Sequence, residues 1–412
     1  MYEVTMSKII FHIDVNSAFL SWTALEELKN GSEIDLREIP SIIGGDQTRR
    51  HGVVLAKSMP AKKYGIVTGE PVINAVRKCP NLVLAPPNHE LYNRHSKKLM
   101  QLLLSYTPDI EQVSVDECFL DFTPIAHLYP SAIDFATTIS NQIKEKLGFT
   151  VNIGIAPNKL LAKMASDFQK PDKIHTLFED EIETKMWPLP VGKLYGVGKA
   201  SNARLISLGI TTVGDLAHAN VDFLVSHFKS QGRYMWDSAN GLDNSIVDNS
   251  QREVKCIGNS TTLSNDVTTI DGAKKVLLTL AEGVASRLRK KGQIAKSITV
   301  EIKYSTFETN THQMTLSTAT NTTDVIYQCA CALFEELWNN APIRLLGIRT
   351  AKLEPFDTPQ QLSLFGLDAN DDTGNRSINN TIASEKQRKL DVALDAIRQK
   401  HGKGAITRGR LK

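Results

Sequence analysis

Apolar and polar positions alternate with two different periods along the first half of the chain. Apolar runs of strand length, rich in β-branched and aromatic residues, occur at residues 9–13, 82–85, 118–122 and 149–155. Longer amphipathic stretches predict helices at residues 17–30, 90–106, 133–147 and 160–168. This mixture of strands and helices predicts an α+β fold in which helices back a sheet.

A second set of elements begins near residue 251. Strand-like alternation occurs at residues 254–258, 297–305 and 311–318, and helical stretches occur at residues 272–290 and 323–338. The predicted order of these elements is strand, helix, strand, strand, helix. Between the two parts, the run Trp187-Pro188-Leu189-Pro190 marks a boundary, and a small helical unit is predicted to follow it.

Composition and charge narrow the class of protein. The 412 residues are 41% hydrophobic and 23% charged, which is typical of a soluble globular protein of two to four domains, at about 100–200 residues each. No apolar run reaches the ~18–20 residues of a membrane helix, and the first residues lack a signal-peptide pattern. The five cysteines are scattered without metal-binding spacing. We therefore expect a cytoplasmic protein with reduced thiols that is a monomer.

Three acidic residues stand next to predicted strands. Asp14 follows the apolar run 9–13, and Asp116 and Glu117 lie where a hairpin would turn. Charged residues at such positions are usually solvated turn residues, and that interpretation stays open. The alternative is a metal site, because carboxylates taken out of water need a compensating cation and Mg²⁺ prefers oxygen ligands. One carboxylate at a strand end and a pair at a hairpin would make a minimal two-metal site.

Several motifs resemble those of the Y-family translesion DNA polymerases. The segment S-V-D-E-C-F-L-D at residues 114–121 resembles the family signature around its carboxylate pair. The segment H-I-D-V-N-S-A-F at residues 12–19 resembles the motif that opens the family's palm domain. Further similar blocks at residues 51–66, 154–167 and 196–205 occur in the family's order. The resemblance is strongest to the branch that contains bacterial DNA polymerase IV and UmuC-like proteins.

The resemblance implies a multidomain right-hand polymerase with four domains. These are a palm at residues 1–30 and 75–185, small fingers at 31–74, a thumb with a helix-hairpin-helix at 186–249, and an α/β little finger at 250–354. Residues 355–412 would then hold a linker, a clamp-binding peptide and a basic tail. No separate acidic cluster suggests an exonuclease domain, so we expect no proofreading.

The resemblance also implies the chemistry of the acidic site. Asp14, Asp116 and Glu117 would be the catalytic carboxylates and, with the carbonyl of Val15, would bind two Mg²⁺ ions, for which Mn²⁺ is a possible substitute. Glu117 would also assist removal of the primer hydroxyl proton. Phe19 resembles the family's steric gate, which excludes a ribose 2′-hydroxyl; taken alone, it reads equally well as a core residue.

A second group of residues is implied to hold the nucleotide. The segment Ser58-Met59-Pro60-Ala61-Lys62 departs from the family pattern N-Y-x-A-R, so Lys62 keeps a positive charge while Met59 supplies no phenol. Ser58 is the candidate to replace that hydroxyl. Lys159 at the start of a helix is expected to contact the triphosphate, although a solvated lysine is the ordinary alternative.

DNA contacts are expected at two places. The turn Gly196-Val197-Gly198, followed by Lys199, resembles a helix-hairpin-helix whose backbone amides approach a phosphate; a tight helix-helix turn is the alternative. The clearest basic cluster contains Arg287, Arg289, Lys290 and Lys291. We expect this cluster to bind phosphates of duplex DNA. The alternative is that it is only a solvated face.

A short peptide after the last predicted domain implies a protein partner. Gln361-Leu362-Ser363-Leu364-Phe365 resembles the pentapeptide that binds the bacterial sliding clamp. Gln361 would donate and accept hydrogen bonds, whereas Leu362, Leu364 and Phe365 would fill apolar pockets. The predicted function is low-fidelity translesion synthesis on primer-template DNA with dNTPs. A non-catalytic accessory subunit and a palm-type cyclase or nuclease remain the alternatives.

Overall fold

A computed structural model describes residues 8–45, 52–250, 253–358, 373–402 and 405–406, with the backbone alone described for 373–385. The described residues fall into two compact units, the first ending at residue 250 and the second beginning at residue 253. No helix among them is long and apolar enough to cross a membrane.

The strands alternate with helices as the sequence predicts. The strands are β1 (Ile10–Val15), β2 (Ser41–Gly44), β3 (Val54–Lys57), β4 (Val83–Ala85), β5 (Ile110–Gln112), β6 (Glu117–Asp121), β7 (Val151–Ala156), β8 (Ile174–Thr176), β9 (Cys256–Val267), β10 (Gln293–Tyr304), β11 (Thr309–Thr320) and β12 (Ile343–Pro355). The α-helices are α1 (Ala18–Lys29), α2 (Met59–Lys63), α3 (Val72–Lys78), α4 (His89–Leu104), α5 (Ala132–Leu147), α6 (Lys159–Ser166), α7 (Lys199–Ser207), α8 (Val213–His218), α9 (Val221–Phe228), α10 (Ser230–Ala239), α11 (Ile270–Lys290), α12 (Thr323–Leu337) and α13 (Thr373–His401).

The palm is a five-stranded sheet with strand order β5-β6-β1-β7-β8. β1 lies in the middle and pairs antiparallel with both β6 and β7. Because side chains alternate along a strand, β1 serves two cores. Phe11, Ile13 and Val15 pack into the core that includes α4 and α5, whereas Ile10 packs into the core shared with α6 and the thumb. Asp14 and His12 therefore share the face of Ile10.

The fingers form a small separate sheet with strand order β3-β2-β4. β2 and β3 pair antiparallel. β4 adds a parallel strand beside β2, and the core contains Ile42, Val54 and Val72. The predicted end of the fingers at residue 74 is therefore too early, because pairing with β2 extends this sheet through Ala85.

The thumb is helical and contains α7, α8, α9 and α10. Its core is apolar and includes Leu205, Leu216, Leu224 and Met235, all fully buried. Gly196 has φ +88, a conformation that favours glycine, and a Cβ there would lie 2.7 Å from the Tyr234 ring. The turn at residues 196–198 therefore requires a glycine at position 196, both for its backbone conformation and for its packing against Tyr234.

The second unit has the predicted order of elements from β9 to α12, β9-α11-β10-β11-α12, and the strand β12 follows. Its four strands form an antiparallel sheet with order β11-β10-β12-β9. α11 and α12 contribute Leu277, Val284 and Phe334 to a core with the inward side chains of the sheet. A long helix, α13, lies near the end of the chain.

Candidate active site

Three carboxylates lie at the same end of neighbouring strands in the palm. The β1–β6 ladder pairs the Cα of Asp14 with that of Glu117. Asp116 directly precedes β6, and its carbonyl accepts a hydrogen bond of 3.0 Å from the N–H of Val15. Ser114 Oγ donates to Asp116 Oδ1 at 2.6 Å. The fold thus brings residue 14 beside residues 116 and 117, as the motifs led us to expect.

Two lysines and a histidine contact these carboxylates. Lys170 forms an ion pair with Asp14, and Lys163 Nζ lies 2.7 Å from Glu117 Oε2. His12, fully buried, has Nε2 at 3.3 Å from the same Glu117 oxygen. Cations placed against carboxylates favour their charged forms.

The three acidic groups do not share one electrostatic environment. Burial raises the pKa of Asp116, and the nearby Asp14 and Glu117 charges raise it further. The His12 contact, together with Lys163, lowers the pKa of Glu117 from 4.5 to about 2 although burial opposes it. Glu117 is thus held ionised, whereas ionised Asp116 lacks a comparable cation. A bound divalent cation would favour the ionised form of Asp116.

The donor set fits a hard divalent cation. Among the described residues, no group of three His, Cys, Asp or Glu side chains is arranged to hold a metal ion, because the carboxylates turn toward lysines. Nevertheless, Asp14, Asp116 and Glu117 stand on adjacent strands and offer carboxylate oxygens, the ligands that Mg²⁺ prefers. Because the pKa of Asp116 is raised, a positive charge bound next to it would stabilise its ionised form.

A cleft of about 760 Å³ opens beside the carboxylates. Its walls come from β1, α1, the fingers and the segment after α6, and they include Asp14, Val15, Phe19, Ser58, Lys62, Asp116 and Lys170. Lys57 and Arg37 also line it. A space of this size with carboxylates at one side and several cations at the other suits a metal-bound polyphosphate ligand.

Phe19 lies in the cleft wall, where its ring packs against another aromatic ring. Its ring stacks on Tyr92, with centroids 4.3 Å apart and planes 6° from parallel. Tyr92 is 1% exposed, so Phe19 is backed by the palm core on one side and faces the cleft on the other. Phe19 therefore packs against the core and also lines the cleft, and its role as a steric gate stays a prediction.

Ser58 does not supply a free hydroxyl. Its Oγ accepts from the N–H groups of Ala61 and Ser41 at 3.0 and 3.1 Å, and it donates to the Ile39 carbonyl at 2.7 Å. Ser58 is therefore the N-cap of α2, and its hydroxyl forms its hydrogen bonds within the fingers. Among the fingers residues of the motif, Lys62 is exposed in the cleft and remains the candidate for a phosphate contact.

The structure also corrects the expectation for Lys159. Its Nζ pairs with Glu111 Oε2 at 2.6 Å, and it is not among the residues that line the cleft. The lysine that does line the cleft beside Asp14 is Lys170. Burial alone would lower the pKa of Lys170, but the Asp14 carboxylate outweighs that effect and raises it.

The connection from β7 through α6 to β8 explains why Lys170 lies next to Asp14. β7 and β8 are parallel, so the chain returns after α6 to the first residues of β7. Because Val151 pairs with Val15, the residues before β8 arrive next to Asp14. The sequence pattern predicts the helix at residues 160–168 but not the path of the chain after it, so Lys170 could not be identified from the pattern.

The helix-hairpin-helix residues lie on the surface. Gly196, Gly198 and Lys199 are exposed, and Gly198 is the N-cap of α7 without a side chain of its own. Backbone amides at such a helix start are open to an anion. DNA contact at this turn stays a prediction.

The predicted basic cluster of the second unit is divided. Lys290 and Lys291 are exposed, and Arg287 is exposed while donating to the Gly258 carbonyl at 2.7 Å. Arg289 is different, because its side chain is 8% exposed and pairs with Asp391 at 3.2 Å and Asp395 at 2.7 Å. Arg289 is therefore a structural residue that fastens α13, not an available phosphate contact.

The clamp-like peptide lies outside the described residues. Gln361, Leu362, Leu364 and Phe365 fall between residue 358, the last described one after β12, and α13. Clamp binding stays a prediction that rests on sequence.

Comparison with known proteins agrees with this geometry. The impB/mucB/samB family model matches residues 13–167, which contain the carboxylates and most of the residues that line the cleft. The model of that family's C-terminal domain matches residues 254–364, and the model of its HHH motif matches residues 179–210. The matched segments follow the palm, thumb and second unit in order.

Curated relatives match along almost the whole chain. A DNA polymerase IV from Clostridium acetobutylicum is 48% identical over 98% of both chains. A DNA polymerase IV from Alkaliphilus oremlandii is 35% identical over 98% of this chain and 99% of the relative. A solved Y-family DNA polymerase chimera has the same fold, with a TM-score of 0.73 at 24% identity, over 84% of this chain and 98% of the other. The chain therefore belongs to the Y family of DNA polymerases, close to DNA polymerase IV, and is a DNA-directed DNA polymerase.

Proposed function

We propose that this polymerase carries out low-fidelity translesion synthesis, transferring nucleotides from dNTPs to a primer 3′-hydroxyl. The observation that carries the proposal is the meeting of Asp14, Asp116 and Glu117 at neighbouring strand ends, beside a cleft that is lined by Asp14, Asp116, Phe19 and Lys170. Phosphoryl transfer needs mainly positioning and charge stabilisation, and the cleft offers both.

The carboxylates have assigned roles in this proposal. Asp14, Asp116, Glu117 and the carbonyl of Val15 would hold two Mg²⁺ ions, which would neutralise phosphate charge and make the primer hydroxyl more acidic; Mn²⁺ would serve as a substitute. Lys163 and His12 keep Glu117 ionised and oriented. The low pKa of Glu117, about 2, keeps this carboxylate ionised near neutral pH, as a metal ligand requires.

The cleft residues would select and hold the nucleotide. Lys170, Lys62 and Lys57 carry positive charge into the cleft and would bind triphosphate oxygens. Phe19, held flat against Tyr92, would occupy the space that a ribose 2′-hydroxyl requires. The fingers sheet has strands of only three or four residues, which supports an open site with little control over the template base.

DNA would be bound without reading its sequence. The exposed turn at Gly196 and Gly198 offers backbone amides to phosphates, and Lys199, Lys290 and Lys291 add charge. In the second unit α11 and α12 cover one face of the sheet, while the other face carries a shallow cleft of about 360 Å³ lined by Thr299, Glu301 and Arg349. We propose that this open face also lies against DNA.

Primer extension across a defined lesion tests the proposal. With dNTPs and Mg²⁺, the protein should add nucleotides opposite and beyond an abasic site. A clamp from a related bacterium should stimulate the reaction, and replacing Leu364 and Phe365 by Ala should abolish only that stimulation. An accessory subunit would add nothing, a nuclease would shorten the primer, and a cyclase would ignore it. Synthesis that stops at every lesion would contradict the translesion role.

A further inference from the structure

The segment that leaves the thumb runs along the palm without regular secondary structure. Residues 241–249, here called the thumb linker, follow α10 and lie next to the end of the described part of the first unit, residue 250. Asn158 Nδ2 donates to the Gly241 carbonyl at 2.8 Å, and Asp243 Oδ2 accepts from the N–H of Leu160 at 3.0 Å. The start of α6 therefore holds the first part of the thumb linker.

Lys159 and Glu111 hold the second part. Lys159 Nζ donates to Glu111 Oε2 at 2.6 Å and to the Ile246 carbonyl at 3.2 Å. The same oxygen of Glu111 accepts from the N–H of Asp248 at 3.0 Å. Lys159 Nζ also lies 4.9 Å from the centre of the Phe119 ring. One ion pair thus joins α6, β5 and two points of the thumb linker.

Burial makes this ion pair sensitive to the loss of either partner. The Lys159 side chain is 15% exposed and that of Glu111 is 3% exposed. Removing one member would leave the other as a poorly solvated charge, which destabilises the local structure more than losing an exposed pair would. Lys159 has its donors engaged at the thumb linker, and the nucleotide cleft contains a different lysine, Lys170.

We propose that Lys159 and Glu111 are positioning residues that fasten the thumb linker to the palm and fix the point where the chain leaves the first unit. The effect on DNA rests on the proposed function, because the predicted DNA contacts lie in the thumb and in the second unit. A released thumb linker would be disordered before binding and would have to be ordered on DNA, which weakens primer-template affinity. The nucleotide cleft would be unchanged.

Hydrogen exchange measures directly whether Lys159 and Glu111 hold the thumb linker, and the measurement does not depend on polymerase activity. The full-length protein would be compared with Lys159→Met, Glu111→Gln, the double variant and Lys159→Arg. Exchange at the amide of Asp248 should accelerate at least tenfold in Lys159→Met, and the double variant should be no faster than the faster single variant. Lys159→Arg should restore protection, because it keeps the charge and reach. Lys185→Met, which removes an exposed pair with Glu181, is the matched control and should leave Asp248 protected.

Kinetic measurements on the same variants distinguish a Lys159 that fastens the thumb linker from a Lys159 that contacts the nucleotide. Lys159→Met and Glu111→Gln should both weaken primer-template affinity, by about fivefold, with the KM for dNTP changed less than about twofold. Unchanged exchange at Asp248 in Lys159→Met would overturn the proposal. So would a KM for dNTP that rises in Lys159→Met and not in Glu111→Gln, since that pattern identifies a triphosphate ligand. Absence of synthesis in the unmodified protein would defeat the proposed function but leave the exchange result standing.

Discussion

Asp14 and Glu117 face each other across the β1–β6 ladder with their Cα atoms in register. A Lys contacts each carboxylate, Lys170 on Asp14 and Lys163 on Glu117. Asp116, next in the chain to Glu117, accepts a hydrogen bond from Ser114 and has a raised pKa because of its burial. Two acidic groups are therefore compensated by the protein, whereas the third is left for a bound cation.

The first prediction concerns acid stability in the absence of divalent metal. The pKa of Glu117 in the folded state is about 2, below its ordinary 4.5, so its stabilising contribution is complete above pH 4.5 and is lost as the pH falls toward 2. Glu117→Gln should therefore show a shallower loss of unfolding free energy over that interval than the unmodified protein. Glu183→Gln, at an exposed position, is the control. Equal slopes for Glu117→Gln and the unmodified protein would show that the ion pair with Lys163 does not form.

The second prediction concerns sugar selection. Phe19→Ala should raise the kcat/KM for ribonucleotides relative to deoxyribonucleotides at least tenfold, which corresponds to about 1.4 kcal/mol. The reason is that the ring, supported by Tyr92, closes the cleft where a 2′-hydroxyl would lie. Single-nucleotide incorporation measures the ratio. Met59→Ala, in the same cleft, should leave it unchanged. A Phe19→Ala variant with unaltered discrimination would reject the gate.

The third prediction concerns the lysine that sequence reasoning missed. Lys170→Met should lower kcat/KM for dNTP about 10- to 100-fold, the range expected for a lost charge-assisted hydrogen bond. Primer-template affinity should change little, and Lys170→Arg should recover part of the activity. Lys144→Met is the matched control, because Lys144 forms an exposed pair with Asp172 in the same region. If Lys144→Met and Lys170→Met behave alike, the lysine at 170 has no special role.

The fourth prediction concerns Arg289 and the C-terminal helix. Asp391 is 1% exposed and also accepts from the N–H of Thr323, at the start of α12, so it joins three helices. Arg289→Gln removes the cation that pairs with the buried Asp391 and should lower the unfolding free energy by about 3–5 kcal/mol. Limited proteolysis should then cut within α13.

The adjacent lysine supplies the contrast. Lys290→Gln should leave stability and proteolysis unchanged and should reduce the salt dependence of DNA binding, because Lys290 is exposed. If Arg289→Gln instead kept full stability and reduced that salt dependence, Arg289 would be a phosphate contact.

Periodicity was sufficient to predict the elements and much of the fold. The order from β9 to α12 follows from alternation in the strands and amphipathic spacing in α11 and α12. The carboxylates were assigned from the resemblance of residues 12–19 and 114–121 to the family motifs, because an acidic pair at a hairpin is by itself usually a solvated turn. The limit of the fingers was missed because β4 pairs with β2 across about 40 intervening residues.

The individual basic residues could not be assigned from the sequence. Lys159 and Lys170 are chemically alike, and so are the neighbours Arg289 and Lys290. What distinguishes them is a partner far away in the chain, Glu111 for Lys159 and Asp391 for Arg289. Ser58 was misassigned for a similar reason, because its hydroxyl is occupied by Ser41 and Ile39. Long-range contacts decide which charges stay available for a ligand.

The most direct test of the account is single-turnover primer extension by Asp116→Asn beside the unmodified protein, with Mg²⁺ and dNTPs. The substitution keeps the shape of the side chain and removes the charge that the protein leaves uncompensated. We expect the unmodified protein to extend the primer and Asp116→Asn to lose at least about a thousandfold in rate, while both bind primer-template equally. Extension by Asp116→Asn at a rate near that of the unmodified protein would contradict the assignment of the carboxylates as the site of nucleotidyl transfer.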